Sequence, residues 1–443
     1  MRNLLPLSAL LLGLLGPNAL AQGGASPHPS PVPQPNVVLI VMDDVGFEDL
    51  AAAPTPTLDL YAPFARRYSR FYVSPVCSPT RYMLQTGLWG HRDFVGTALP
   101  STSSDERGLV PSRLTLAEAL QAEGYQTALF GKWHVNTSMN MKTDEAARIA
   151  GFQTWRAGLV GNIGATGSHY AWPRVDDGTR SVESVYSTRA ITDAVLDWFA
   201  NGVDPTQPFF AEICYPAPHA PFEDAAPSGM LPPTYQTVQT DRGRYESALV
   251  ALDAAFAELA GALDLSNTYV ILLADNGTPE SVPPANALEK GYKLTVFEGG
   301  VHVPMFVWGV DTLPGDDASL VSPVDVPNTV LELTSVEPPR GFDDGTSFAA
   351  TRFGLAGSRT FAWCHRFSPC NGLPGPLTVE RWAVVRDDGL KLWMQDGNLR
   401  LFDLVVDPHE NVDLGATSAA YFADVTDLLS IRDAILTPTS WPY

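Results

Sequence analysis

The segment most suited to chemistry is Cys77-Ser78-Pro79-Thr80-Arg81, followed by Thr86-Gly87. Pro79 suits the first turn of a helix, where a missing N–H breaks no hydrogen bond. Cys77 then stands at the helix N-terminus, where the dipole favours an anion or a polarised oxygen. Arg81 follows one turn later and points at the same spot. A cysteine in that field can act as a thiolate nucleophile. The plainer alternative is a surface cysteine on an ordinary helix.

Two further pairs sit where apolar runs end. Asp43-Asp44 follows Asn36–Met42, and Asp275-Asn276 follows the run 269–273 and Ala274. Each run is apolar on both faces and too short for a buried helix, so it reads as a central strand of a parallel sheet. Ligands of such sheets bind at the carboxyl ends of strands, and two ends can converge on one ion. Adjacent carboxylates repel and need a cation or protons. All-oxygen ligation suits Ca²⁺ or Mg²⁺ rather than zinc, although a solvated turn also accounts for an isolated Asp-Asp.

The strand-like run 127–130 delivers Lys132 and His134, two apart and able to face one cleft. The alternative is a surface lysine beside a core-edge histidine. His219 follows the run 209–214 between Pro218 and Pro221, and reads as a general acid near neutral pH or as a loop histidine tied to backbone. Lys293, with Lys290 as its nearby competitor, precedes Gly299-Gly300, where the backbone can be approached closely.

In this order, these segments and the closing stretch 401–414 resemble the formylglycine-dependent (type I) sulfatases of the alkaline phosphatase superfamily. The resemblance implies that a maturation enzyme oxidises Cys77 to Cα-formylglycine (3-oxoalanine). One hydroxyl of its hydrate attacks sulfur, and the second lets the ester collapse and expel sulfate. It implies one Ca²⁺ held by Asp43, Asp44, Asp275 and Asn276, with modified residue 77 adding an oxygen. It implies that Lys132 and Lys293 bind sulfate oxygens, that His134 helps deprotonate the diol and that His219 protonates the leaving alcohol. Arg81 joins the lysines in reversing the local negative charge. The chain departs from the family at Leu88, where an arginine usually follows Thr-Gly and bears on maturation. It departs again at His302, expected at the rim of the site, where an arginine often follows Glu-Gly-Gly-x.

Those residues need a frame. Strand-like runs at 127–130, 209–214, 269–273 and 304–307 alternate with helical patterns at 114–122, 187–199, 245–263 and 324–333. That alternation predicts an α/β catalytic domain over 36–350, a large, mostly parallel sheet with helices on both faces. From 351 to 443 short runs at 381–386, 391–394 and 399–404 are joined by Asp-Gly turns, and a helix follows at 419–436. This predicts a small C-terminal antiparallel α+β domain. Loops 138–171, including the Gly-rich 161–167, and 222–241 are expected to choose the alcohol.

The N-terminus reads as processing and export. Residues 1–21 form a secretory signal peptide with its cut near Ala21, and 22–35 a Pro/Ser/Gly-rich linker. The apolar stretch is shorter than the ~18 residues a membrane span needs, so the expected location is secreted or periplasmic. Four cysteines are too few for a disulfide framework; Cys214 reads as a buried thiol, and Cys364 and Cys370, in a loop-like segment, can bridge. With 28 Lys and Arg against 49 Asp and Glu, the net charge of −21 argues against nucleic acid or an anionic membrane as partner. The expected partners are a sulfated small molecule or saccharide and a formylglycine-generating enzyme. The expected activity is sulfate monoester hydrolysis. A phosphodiester or phosphonate monoester hydrolase, or a non-catalytic sulfated-glycan-binding relative, is the alternative.

Overall fold

A computed structural model describes residues 34–100, 107–137, 143–164, 167–369 and 377–437. The signal peptide, most of the linker and Cys370 lie outside the described residues. Gln34–Tyr443 forms one compact unit. In chain order its strands and helices are β1 (Asn36–Met42), α1 (Asp49–Ala52), α2 (Pro56–Tyr61), β2 (Arg66–Tyr68), α3 (Cys77–Thr86), α4 (Leu116–Ala122), β3 (Gln126–Lys132), α5 (Ala146–Ile149), β4 (Thr154–Leu159), β5 (Trp172–Asp176), β6 (Thr179–Glu183) and α6 (Ser187–Asp197). They continue with β7 (Phe209–Tyr215), α7 (Asp241–Ala262), β8 (Thr268–Ala274), α8 (Glu298–Val301), β9 (Met305–Trp308), β10 (Gly315–Asp317), α9 (Asp325–Leu333), β11 (Phe361–Pro369), β12 (Leu377–Arg386), β13 (Leu390–Gln395), β14 (Asn398–Asp403) and α10 (Phe422–Leu436).

The expected α/β architecture is present. A ten-stranded sheet has the order β10-β2-β9-β8-β1-β7-β3-β4-β5-β6. Its middle, β8-β1-β7-β3-β4, is parallel throughout. β7 and β8 are buried at every position, and β1 at all but its first. Strands covered on both faces need apolar side chains on both, which is why they read as unbroken runs. Helices α2, α6 and α7 form one packed group, and α3, α4 and α9 another. The edges differ from a purely parallel sheet: β9 pairs antiparallel with β8 and β2, and the β5–β6 hairpin adds an antiparallel edge beyond β4. Helix α7 begins four residues before the apolar pattern does, because Thr240 caps it by accepting from the Gly243 N–H at 3.1 Å.

The C-terminal sheet, β11-β12-β13-β14, is antiparallel, with α10 against β12. Its first strand overturns the reading of 364–370 as loop-like. Cys364 lies inside β11 as a buried free thiol. The histidine and arginine around it disguise an alternating strand.

One buried polar cluster fastens this sheet to the segment carrying Gly299-Gly300. The Lys391 ammonium reaches Glu298 Oε1 at 2.7 Å and Glu410 Oε1 at 3.1 Å. Tyr72 donates to Glu298 at 2.9 Å, and Trp393 Nε1 donates to Glu410 at 3.0 Å. Burial works against Glu298, but the Lys391 charge outweighs it and holds this carboxyl below its ordinary range. Burial pushes Glu410 up. Removing the cation strands two carboxylates away from water, which costs about 3–5 kcal/mol for a broken buried pair. Lys391→Met is therefore expected to lower the denaturant midpoint of unfolding by an amount equivalent to several kcal/mol. A shift below about 1 kcal/mol would place the cluster among minor surface contacts.

Candidate active site

Because β8, β1, β7 and β3 are parallel neighbours, their carboxyl ends lie side by side. Residues 275, 43, 216–219 and 132 therefore meet at one edge of the sheet. The ladder runs one step past β1, with Asp275 N–H donating to the Met42 carbonyl at 3.1 Å. Asp44 then turns into the left-handed region, φ 71°, and its N–H donates to Asp275 Oδ1 at 3.2 Å. Gly277 follows because a Cβ there would lie 2.0 Å from the Gly299 carbonyl oxygen. At the end of β3, Gly131 has φ 81°, and a Cβ would lie 2.1 Å from the Cys214 carbonyl oxygen. The register shifts at this point, and Lys132 and His134 turn into the cleft.

Helix α3 is buried along all ten residues. A helix so placed must pair every polar side chain. Arg81 Nε donates to Asp275 Oδ2 at 2.8 Å and Nη1 to the Lys132 carbonyl at 3.1 Å. Gln85 donates to both oxygens of Glu212 on β7, at 2.9 and 2.8 Å. Tyr82 donates to Asp93 at 2.6 Å, and Ser78 Oγ accepts from Leu99 N–H at 3.0 Å. These bonds fix the pitch of the helix and the position of its first residue, Cys77, whose exposure is 1%. A surface cysteine is thereby excluded. A resting thiolate is disfavoured too, because burial pushes the Cys77 thiol up despite Lys132 and Lys293 nearby.

The Cys77 Sγ lies 3.3 Å from Nδ1 of His134. Nε2 of the same ring lies 2.9 Å from the Leu99 carbonyl, which can only accept. The ring proton therefore sits on Nε2, and the Nδ1 lone pair faces residue 77. Burial, with help from Lys132, keeps the pKa of His134 well below its ordinary value. This imidazole is neutral at physiological pH.

Three carboxylates and three cations interlock around that pair. Lys132 is bonded to Asp43, and Lys293 Nζ lies 2.6 Å from Asp44 Oδ1. Asn276 Nδ2 donates to Asp44 Oδ1 at 2.7 Å. Burial alone would raise Asp43, but Lys132, His219, Arg81 and Lys293 hold it far below the carboxylate range. Burial pushes Asp275 up to about 6, with the charge of Asp43 adding and Arg81 opposing. Lys290, the competing lysine, instead donates to the Glu410 carbonyl at 3.0 Å.

The donor set fits a hard cation. Asp43 Oδ1 and Asn276 Oδ1 are buried with no hydrogen-bond partner. One ligand atom each from Asp43, Cys77 and Asp275 lies within 4.8 Å of the others, as does one each from Asp43, Asp44 and His219. Buried oxygens that accept no hydrogen bond are what an oxygen-ligated ion satisfies.

His219 stands on the more open side, its side chain 17% exposed, with Nε2 3.7 Å from Asp44 Oδ2. Its Nδ1 lies 2.7 Å from the Ala220 carbonyl, so Nε2 is the nitrogen that faces the site. The sequence reading missed the residue that holds this loop. His169 Nε2 lies 3.0 Å from the His219 carbonyl and its Nδ1 2.7 Å from Ser187 Oγ, while its N–H donates to Glu223 at 2.5 Å. It is one of only eight histidines and follows the Gly-rich 161–167, the signal that could have marked it. Tyr245 was missed as well; its hydroxyl bonds both the Asp44 carbonyl at 2.8 Å and Asp49 at 2.6 Å.

Two departures take on physical form here. Leu88 is buried in the main apolar core. His302 does not border the rim as expected: its ring is buried and stacked on Phe47 at 4.1 Å. Nδ1 lies 2.6 Å from Glu289 and Nε2 3.0 Å from the Ser69 carbonyl. Both nitrogens face acceptors, so the ring is a cation, and Glu289 outweighs burial to raise its pKa. It serves as an internal positive charge in the position where an arginine was anticipated.

The family model described as Sulfatase matches residues 35–336. Arylsulfatase J of Mus musculus is 29% identical over 297 residues, 62% of this chain and 48% of its own length. N-acetylgalactosamine-6-sulfatase of Sus scrofa is 28% identical over 385 residues, 76% of this chain and 66% of its own. The chain thus spans from about half to about two thirds of the length of these relatives. Among solved structures, Ps i-CgsB in complex with k-i-k-neocarrahexaose superposes with a TM-score of 0.79 at 22% identity, covering 92% of this chain and 94% of that one. The phosphonate monoester hydrolase of Agrobacterium radiobacter gives 0.66 at 19%, covering 91% and 96%.

If the orphaned oxygens hold an ion, chelation should be visible without any substrate. At a hundred times its dissociation constant, a bound ion stabilises the fold by about 2.7 kcal/mol. Dialysis against a chelator should lower the thermal midpoint, and Ca²⁺ should restore it. In Asp275→Ala the response to chelator should vanish. An unchanged midpoint in the parent protein would remove the metal assignment.

Proposed function

We propose that this chain, which belongs to the sulfatase family, hydrolyses a sulfate monoester of an aryl or carbohydrate alcohol, releasing the alcohol and inorganic sulfate. The observation that carries the reading is the aim of one lone pair. Nδ1 of a neutral His134 faces the side chain of residue 77 at 3.3 Å, among two buried cations, Arg81 and Lys132, and a partly buried third, Lys293. A base held beside a side chain at a positive helix end suits a residue that must lose a proton while it handles an anion.

Cys77 is the residue we take to be converted to formylglycine, which when hydrated supplies a geminal diol as nucleophile toward sulfur. Asp43, Asp44, Asp275 and Asn276 would hold one Ca²⁺, which supplies positive charge to polarise oxygens there. Every remaining role falls to side chains already placed. Lys132 and Lys293 each bond a carboxylate, and each can turn part of its charge toward a sulfate oxygen. Arg81 stays on Asp275 and holds residue 77 in register through α3. His134 accepts a proton at Nδ1 and is kept in that tautomer by Leu99. His219 presents Nε2 on the open side, where a departing alcohol needs a proton, and His169 keeps its loop in place.

The relatives support both alcohols: one is named an arylsulfatase and another for N-acetylgalactosamine 6-sulfate. The N-terminal segment supports export before the protein acts. Among the described residues no helix is long and apolar enough to cross a membrane.

Peptide mass spectrometry across residue 77, on protein from its own host or co-expressed with a maturation enzyme, should show the aldehyde in place of the thiol. An intact thiol despite competent maturation would point to Leu88 as disabling and to a binding role. In matured protein, Cys77→Ala should abolish turnover of sulfate esters and leave the unfolding midpoint within about 1 kcal/mol, since alanine fits the first turn of α3. Retained turnover would overturn the mechanism. A preference for phosphonate monoesters or phosphodiesters over sulfate monoesters would transfer the site to the other chemistry.

A further inference from the structure

The C-terminal sheet reaches the mouth of the site through two arginines. Arg366 on β11 and Arg381 on β12 are directly paired across the strands, so both project from one face. Both converge on the carbonyl of Leu294: Arg381 Nη1 donates to it at 2.9 Å and Arg366 Nη1 at 3.4 Å. Leu294 is the residue after Lys293. Its backbone is held in the left-handed region, φ 79°, with its N–H donating 2.8 Å to the carbonyl of Pro75, two residues before Cys77. The two guanidiniums are thus fixed one residue from a lysine of the site, on the side open to solvent.

Their charges are not equally answered. Arg381 is held by Asp396, with contacts of 2.9 and 3.2 Å. Arg366 pairs with no carboxylate among the described residues. Among the described residues its hydrogen bond is the long contact to Leu294, and its Nε is buried with no partner there. Burial and the neighbouring Arg381 together lower its pKa. In a chain of net charge −21, a half-buried guanidinium next to a second one, with its donors unused, is an anion site awaiting its anion.

We propose that Arg366, supported by Arg381, binds a second anionic group of the substrate, a sulfate or carboxylate borne by the same sugar or its neighbour. The substrate class is then a multiply charged saccharide in place of a lone sulfate ester. This rests on the sulfatase reading above and adds the direction from which the rest of the substrate enters, along the edge of the C-terminal sheet. The planar fork of an arginine suits either oxyanion through paired N–H donors. The overall negative charge of the protein then makes the pair a selective feature, since other surface regions repel a polyanion.

The test separates this claim from the one beneath it. Cys77→Ala protein, which has no turnover to confuse binding, is titrated with a panel of monosaccharides carrying one sulfate, two sulfates, or one sulfate and a carboxylate. At least one doubly charged sugar should bind tenfold or more tightly than its singly sulfated counterpart. Arg366→Gln in the same background should reduce that ratio to within twofold of one, and Arg366→Lys should recover only part of it, because the fork is lost. If no doubly charged sugar gains affinity, or if Arg366→Gln leaves the ratio intact, the subsite is wrong. Matured parent protein assayed on 4-nitrophenyl sulfate reports separately on the sulfatase reading. Turnover there with no charge preference in the panel sinks the subsite alone.

Discussion

Asp43, Asp44 and Asp275 bring three carboxylates to neighbouring strand ends, each with 2% exposure or less. Left bare, they would repel strongly at low effective dielectric and force the strand ends apart. Much of the architecture answers that repulsion. Arg81 approaches from a helix buried on every side, Lys132 from a strand kinked at Gly131, and Lys293 from a loop fixed against the Cys77 segment. No one element supplies enough positive charge, so three must arrive together. The three cations only balance the three carboxylates; on the proposed reading, a calcium ion held there would add the surplus positive charge that lets the same cluster face a sulfate.

Neutral groups matter for the opposite reason. His134 is useful because it lacks a charge amid the cations, and burial together with Lys132 keeps it so. The Leu99 carbonyl then decides which nitrogen is free. On the proposed reading, chemistry at residue 77 depends on a tautomer, and the tautomer depends on a backbone oxygen belonging to a loop with no recognisable motif. Longer-range supports follow the same pattern, as with His169 behind the His219 loop and Tyr245 under the Asp44 carbonyl.

How much of this could be read from the chain differs by element. Strands β1, β7 and β8 were plain because burial on both faces forces an apolar run. Asp43, Asp44, Asp275, Asn276, His134 and His219 were legible because each stands a few positions past a strand-like run, and Cys77 because it starts a helix; Lys293 follows no such run and was marked only by the order of the segments. β11 was not legible, since Cys364, His365 and Arg366 interrupt its alternation with side chains whose partners come from elsewhere in the fold. His302 was misplaced for a related reason: its neighbours Phe47, Ser69 and Glu289 come from three separate segments, and no local pattern foretells a buried cation. His169 acts on a carbonyl 50 residues away.

The complete burial of α3 also imposes an order on events. Once the helix is packed, nothing the size of an enzyme can touch the Cys77 side chain, which keeps 1% of its surface. Any catalyst that rewrites it must meet an extended chain. The opportunity closes late, because the segment carrying Gly299-Gly300 is fastened by Lys391 and Glu410, more than 300 residues after Cys77. At about 5–20 residues per second, the stretch from Cys77 to Lys391 takes tens of seconds to synthesise. The fold that seals this side chain thereby leaves it reachable throughout that interval.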